Sequence, residues 1–206
     1  MPHGNLRSTT LAGLLIPFWL AVGVFTAGLA YPGYSHINQA MSELGAVGAP
    51  THAWSPLLNN YPLGLLFIAF GLAVWRRFPG FLARLSALLI AAHGVASFFT
   101  GYFSCDVGCG LESPSSTQQI HNVAGLVMFI SLVLASALWI ATAPRELGSR
   151  RFALFSLLCT VVAVGTLPLM AAAVEAHNGF GLYQRLNYGA SVVWTGALAW
   201  MMLRRA

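Results

Sequence analysis

The sequence predicts an all-α, polytopic membrane protein: six transmembrane helices in a single domain spanning residues 1–206, with both termini cytoplasmic. Three observations carry that prediction. First, 57% of the 206 residues are hydrophobic, only 7% are charged, and the mean hydropathy is +0.72. Soluble domains carry about 25% charged residues, so a surface of this composition cannot face water. Second, the chain holds six apolar runs near 11–30, 56–75, 85–104, 120–142, 152–174 and 183–203. Each approaches the roughly 20 residues that a helix needs to cross about 30 Å of hydrocarbon, and a helix satisfies its own backbone hydrogen bonds in lipid. Third, Arg7, Arg76, Arg77, Arg84, Arg145, Arg150, Arg151, Arg204 and Arg205 all fall on one side of a six-span arrangement, with only Arg185 on the other. Arginine-rich loops face the cytoplasm. The net charge of +5 does not indicate nucleic acid, because every basic residue is an arginine beside an apolar run and none builds a basic face.

Taken in order, residues 1–10 form a short cytoplasmic lead-in with His3 in solvent. The first run exceeds the 7–15 apolar residues of a signal peptide, so it is expected to stay as a span. Pro17 inside it predicts a gentle kink. The connection 31–60 is long and outer, punctuated by YPGYS and GAVGAP. Between those turns, SHINQAMSELG places His36, Gln39 and Glu43 on one helical face and Ile37, Met41 and Leu44 on another, which predicts a short amphipathic helix in the interface. It either caps the bundle or carries His36, Ser42 and Glu43 over the bundle's mouth. In the third span His93, Ser97, Thr100 and Ser104 recur at spacings of four, three and four, a single strip that is expected to face the interior. That strip climbs to the loop TGYFSCDVGCGLESPSSTQQIHN, around which the outer face is organised. The fourth span opens with His121 and Asn122, and the fifth carries Thr160, Thr166 and Pro168 before Glu175. The sixth follows the outer loop EAHNGFGLYQRLNYG. Tyr31, Tyr34, Tyr61, Tyr102, Tyr183 and Tyr188 are expected in an outer interfacial belt, and Trp75, Trp139 and Trp200 at the inner rim.

The residues able to carry chemistry lie mostly on the outer side. Cys105 and Cys109 are expected to form a disulfide, worth only about 2 kcal/mol by chain entropy across so small a loop, yet able to fix where Asp106 points. Cys159 reads as a small core residue. Arg185 breaks the arginine pattern and is expected to have a partner, either Glu175 or Asp106 in an ion pair or the phosphate or carboxylate of a lipid. Three constructions fit the residue types. A zinc hydrolase would use Asp106, His121 and His177 as ligands, with His36 in reserve and Glu43 as general base, although no HExxH motif is present. Haem needs two facing histidines at matching depth, and only His93 is deep. A polar cup that binds a headgroup or small solute demands least. Ser42 is a further candidate nucleophile, without a nucleophile-elbow pattern around it.

With SELGAVGAP after the first span, FSCDVGC after the third, His121 at the mouth of the fourth and GLYQRLNYG before the sixth, the chain resembles the membrane family labelled "domain of unknown function 998". The match runs over nearly the whole chain and implies no settled activity. SELGAVGAP is also distantly similar to the turn after the first span of the Frag1/DRAM/Sfk1 membrane proteins, some of which are tied to lipid remodelling. The scattered Ser, Asp and His set is similar to that of the alkaline ceramidases, whose seven spans and HxxxH pair are absent here.

These observations together lead to the expectation of an integral, multi-pass protein of the plasma (inner) membrane with an outward-facing polar site that binds or processes a lipid headgroup. Glu43, Ser42, Asp106 and His121 are the candidate catalytic residues, and Arg185, His36 and His177 the candidate substrate contacts. Asp106, His121 and His177 are the candidate metal ligands, with zinc as the metal. Membrane lipids are the expected partners, a homo-oligomer is open, and nucleic acid is not expected. The alternative is a non-enzymatic solute transporter or accessory subunit.

Overall fold

The computed structural model describes residues 3–110 and 112–205, with side chains from Leu6 onward, so the expectation for His3 lies outside the described side chains. The described chain is helical without strands: α1 (His3–Leu29), a 3-10 turn (Met41–Gly45), α2 (Ser55–Leu58), α3 (Asn60–Arg77), α4 (Phe81–Tyr102), α5 (Ser116–Glu146), α6 (Arg150–Gly165), α7 (Leu167–Glu175) and α8 (Phe180–Leu203). Local chemistry sets the helix ends. Pro79 cannot continue α3. Ser115 Oγ accepts from Gln118 N–H to cap α5, and Ser149 Oγ accepts from Phe152 N–H to cap α6.

Five stretches are long and apolar enough to cross a membrane: Leu6–Leu29, Ser55–Arg77, Phe81–Tyr102, Ser116–Glu146 and Arg150–Glu175. The 24-residue α8 is long enough but carries Tyr183, Gln184, Arg185 and Asn187 in its first two turns, which dilute its apolar character. The exterior of the bundle is greasy: Phe18, Val22, Phe81 and Leu154 are all at least half exposed. Such a surface suits lipid and not water. The helices run up and down, so one end of the bundle carries the arginine pairs and the other carries the Cys105–Cys109 disulfide and Arg185.

The arginine end is solid. Phe67, Phe70, Trp139, Trp194 and Leu198 are fully buried there. Trp139 therefore belongs to the core, not to the expected inner rim: its indole N–H donates to Ser86 Oγ at 2.9 Å, and Phe78 and Phe152 stand edge-on to its ring. Trp75 and Trp200 stay partly exposed, with Arg84 and Arg204 over their faces. Between α3 and α4 the backbones nearly touch. A β-carbon built on Gly94 would lie 2.6 Å from Gly64 O, and one on Gly71 would lie 2.8 Å from Ala87 O. Small residues of this kind replace the hydrophobic effect, which cannot drive helices together inside lipid.

The fifth predicted span is interrupted between α6 and α7. Pro168 lacks an N–H, so the backbone ladder cannot run unbroken through it, and carbonyls next to the break take side-chain donors. Thr166 Oγ1 donates to Val162 O and Ala163 O, and Asn187 Nδ2 of α8 donates to Ala163 O and Thr166 Oγ1. Beyond the break α7 packs on α8 and α6, while α5 packs on α4 and α6. At the disulfide end α5 and α7 therefore face each other across a gap.

The amphipathic helix expected at 35–45 does not form. Residues 36–39 are turns, followed by the 3-10 turn Met41–Gly45. Side chains capture the backbone groups that a regular helix would use. Tyr34 Oη donates to Ala40 O, Ala40 N–H donates to Glu43 Oε1, and Met41 N–H donates to Gln184 Oε1.

Replacing Gly94 by Leu is expected to force α3 and α4 apart at a cost of about 1–3 kcal/mol, seen as a lower thermal midpoint in detergent. Gly125→Leu, whose β-carbon meets nothing within 4 Å, is expected to leave the midpoint near that of the wild type.

Candidate functional site

The gap between α5 and α7 is the side of a cavity of about 1130 Å3 at the disulfide end of the bundle. Its apolar part is made by Leu20, Leu63, Phe129, Leu132, Leu167 and Met170, and its polar part by Asn60, Ser97, Thr100, His121, Gln184 and Asn187. The floor ends where Leu63, Leu132 and Ser191 give way to the buried layer of Phe67, Trp139 and Trp194, so the cavity is a cup, closed toward the arginine end.

The strip on α4 builds one wall. His93, Ser97 and Thr100 are buried, as a polar stripe in lipid requires, while Ser104 lies past the helix end. Ser97 Oγ donates to Asn60 O at 2.8 Å, and Asn60 Nδ2 donates to Thr100 Oγ1 at 3.0 Å. Deeper, His93 Nδ1 lies 2.9 Å from Met128 O and His93 Nε2 lies 2.8 Å from Tyr188 Oη. A carbonyl only accepts, so the neutral ring carries its hydrogen on Nδ1, and Tyr188 Oη–H donates to Nε2. Tyr188 thus turns inward onto a histidine and does not join the expected tyrosine belt. Sequence reasoning placed it wrongly because a tyrosine near a span's end looks the same whether it faces the headgroups or the interior.

The expected site residues divide into three groups. Ser42, Glu43, His121 and His177 all line the cup, with Cys109 and Glu112 at its rim. His121 Nδ1 lies 2.8 Å from Phe103 O, which puts the hydrogen on Nδ1 and leaves a lone pair on Nε2. Glu43 already accepts from Ala40 N–H and from Gln39 Nε2, which hold its carboxylate in place. His177, in a left-handed backbone conformation just past α7, is exposed.

Asp106 forms the second group and does not line the cup. Its carboxylate accepts from Ser115 N–H at 2.8 Å and Ser115 Oγ–H at 2.7 Å. Those two bonds hold its pKa below the ordinary carboxylate value. Its own N–H donates to Gln118 Oε1, and Gln118 Nε2 donates to Gly110 O. Asp106 is thus a clasp that fastens the disulfide loop to α5, and the expected disulfide Cys105–Cys109 is present beside it. Cys105 O accepts from Val47 N–H at 2.9 Å, which ties that loop to the 31–60 connection.

Arg185 and His36 form the third group. The guanidinium pairs with neither Glu175 nor Asp106. It donates to Gln39 O, Gly181 O, Tyr34 Oη and His36 Nδ1 at 3.0, 2.9, 2.7 and 3.2 Å. Burial raises the Tyr34 pKa, an effect that Arg185 partly offsets, and burial followed by the Arg185 charge lowers that of His36.

Among the described residues no three His, Cys, Asp or Glu side chains gather in a way that would hold a metal ion. The Asp106, His121 and His177 set does not assemble, because Asp106 is engaged by Ser115 and lies off the cup that the two histidines line. The zinc reading gains no donor set from this geometry, and no step below uses a metal.

Tyr188→Phe removes the donor to His93 and leaves a buried ring nitrogen unpaired. The expected cost is about 1–3 kcal/mol in a detergent unfolding curve. An unchanged curve would mean that the pair contributes nothing to the core.

A family model described as "Protein of unknown function (DUF998)" matches residues 14–201. No curated protein and no solved structure matches the chain. These comparisons do not show the expected likeness to the Frag1/DRAM/Sfk1 proteins.

Proposed function

We propose a lipid-binding role for this chain, which belongs to the DUF998 family: the cup takes the polar headgroup of a membrane lipid at the outer leaflet, with the acyl chains leaving sideways between α5 and α7. The observation that carries this reading is the cup's mixed lining, with Asn60, Thr100, His121 and Gln184 beside apolar Leu63, Phe129, Leu132 and Met170, next to a gap between two helices. Pockets that hold small ligands usually measure about 300–1,000 Å3, so the volume here admits a headgroup with part of its chains. The wall carries Glu43 and Glu112 and no arginine, which favours a headgroup bearing hydroxyl or ammonium groups. Where the bound lipid is processed, His121 is the group placed to accept a proton through Nε2. The closed floor favours such a cup over a path for solutes, which would need polar groups continuing to the arginine end.

In this reading α8 crosses as a sixth span and the arginine end faces the cytoplasm of a plasma membrane. On a Cys159→Ala background, a membrane-impermeant maleimide added to intact cells is expected to label Ser116→Cys and spare Arg150→Cys. The reverse pattern would place the cup on the cytoplasmic side.

Phosphatidylethanolamine with a diazirine in its acyl chain tests the cup itself. Photolabels are expected on Leu126, Phe129 and Met170, and Gly125→Phe is expected to reduce them about tenfold, a loss of roughly 1.4 kcal/mol in binding. Labels elsewhere only, or the same yield in Gly125→Phe, would remove the proposal.

A further inference from the structure

Beside the cup, with Leu20, Val24, Met41 and Tyr188 lining both, a groove of about 390 Å3 opens between α1 and α8. The two helices meet closely at one point, where a β-carbon built on Gly196 would lie 3.0 Å from Pro17 Cγ. Toward the disulfide end they part. Pro17, Leu20, Ala21, Val24 and Phe25 line one side, and Tyr188, Gly189, Val192 and Val193 the other. From Pro17 to Phe25 the apolar slot runs roughly 12 Å at about 1.5 Å per residue. At its open end stand Arg185 and His36, with Phe25 stacked on the imidazole at 6.2 Å.

The hydrogen bonds at that end fix what it can bind. Arg185 can only donate, and its four bonded acceptors are two carbonyls, a phenol and an imidazole nitrogen, all neutral. They take the four hydrogens of Nη1 and Nη2 and leave the Nε–H. The positive charge therefore stands without a bonded counter-charge. Because Arg185 Nη2 donates to His36 Nδ1, the neutral imidazole carries its hydrogen on Nε2, an edge of the ring that rests against Gly28 of α1, where an added β-carbon would lie 2.5 Å from it. The nearby carboxylate of Glu43 is engaged by Ala40 N–H and Gln39 Nε2, and it lines the cup instead of the groove. The open end thus offers the Arg185 Nε–H and a positive charge above an apolar slot, and the charge comes from the single arginine at the disulfide end.

We propose that this groove is a second site, beside the cup, for one anionic phospholipid: Arg185 holds its phosphate, and one acyl chain lies in the slot between α1 and α8. A zwitterionic lipid fits less well, because its ammonium group would lie near an uncompensated guanidinium. The site does not depend on what the cup binds.

Detergent-solubilised protein titrated with phosphatidylglycerol, and in parallel with phosphatidylcholine, tests this by native mass spectrometry. Gly189→Leu fills the slot without touching the Arg185 bonds, since a β-carbon at Gly189 meets nothing within 4 Å. The wild type is expected to retain phosphatidylglycerol about tenfold better than phosphatidylcholine, and Gly189→Leu to lose about tenfold of that retention. Gly125→Phe, which fills the cup, is expected to keep it. Equal retention of the two lipids, undiminished phosphatidylglycerol in Gly189→Leu, or its loss in Gly125→Phe would each overturn the proposal. Failure of the cup to bind phosphatidylethanolamine, with the groove still selective, would leave this inference standing.

Discussion

The break at Thr166–Pro168, and the Asn187 amide that makes it tolerable, is the constraint on which the cup depends. Beyond the break α7 packs on α8, and the cup opens between it and α5. Proline prevents the continuous ladder, and in hydrocarbon the carbonyls next to the break cannot turn to water. Thr166 and Asn187 donate to Val162 O and Ala163 O from within the bundle, and α7 packs on α8. The arginine end shows the opposite design: Trp139 and Trp194 each donate to a serine hydroxyl and fill the interior. One half of the bundle is therefore packed and the other is open.

A second constraint sorts the charged groups. Arg185 spends its Nη donors on the 31–60 connection and on α8 itself, which anchors that connection but turns the guanidinium toward the α1–α8 groove. Asp106 is spent on Ser115. Neither is left to build a site with His121. The polar groups at the disulfide end thus form a cup of imidazoles, amides and carboxylates, an adjoining cationic groove and a structural clasp.

Five of the six expected spans were legible in the sequence because a long apolar run has one stable state in lipid. The disulfide was legible from two cysteines four residues apart on one loop, and the inward face of α4 from the spacing of His93, Ser97 and Thr100. What was illegible had a common cause. Asp106, His121 and Arg185 were grouped because they share an end of the bundle, but sharing an end does not fix which neighbour takes each hydrogen bond. For Arg185 that choice rests on contacts more than a hundred residues apart, such as Tyr34, while Asp106 and His121 are taken by the nearer Ser115 and Phe103. Contacts such as Gln184 with Met41 dissolved the expected helix at 35–45, whose periodicity was sound but whose backbone groups had better partners. Pro168 was visible, yet a proline in a span bends or breaks it according to what rescues the carbonyls, and Asn187 lies on another helix.

The most direct measurement is a density map of the protein in lipid nanodiscs, focused on the space between α5 and α7. The expected result is α7 standing apart from α5, with elongated density whose polar end sits beside His121 and Gln184 and whose tail leaves past Leu126 and Met170. A map in which α7 closes against α5, or in which that space holds only solvent, would contradict the account.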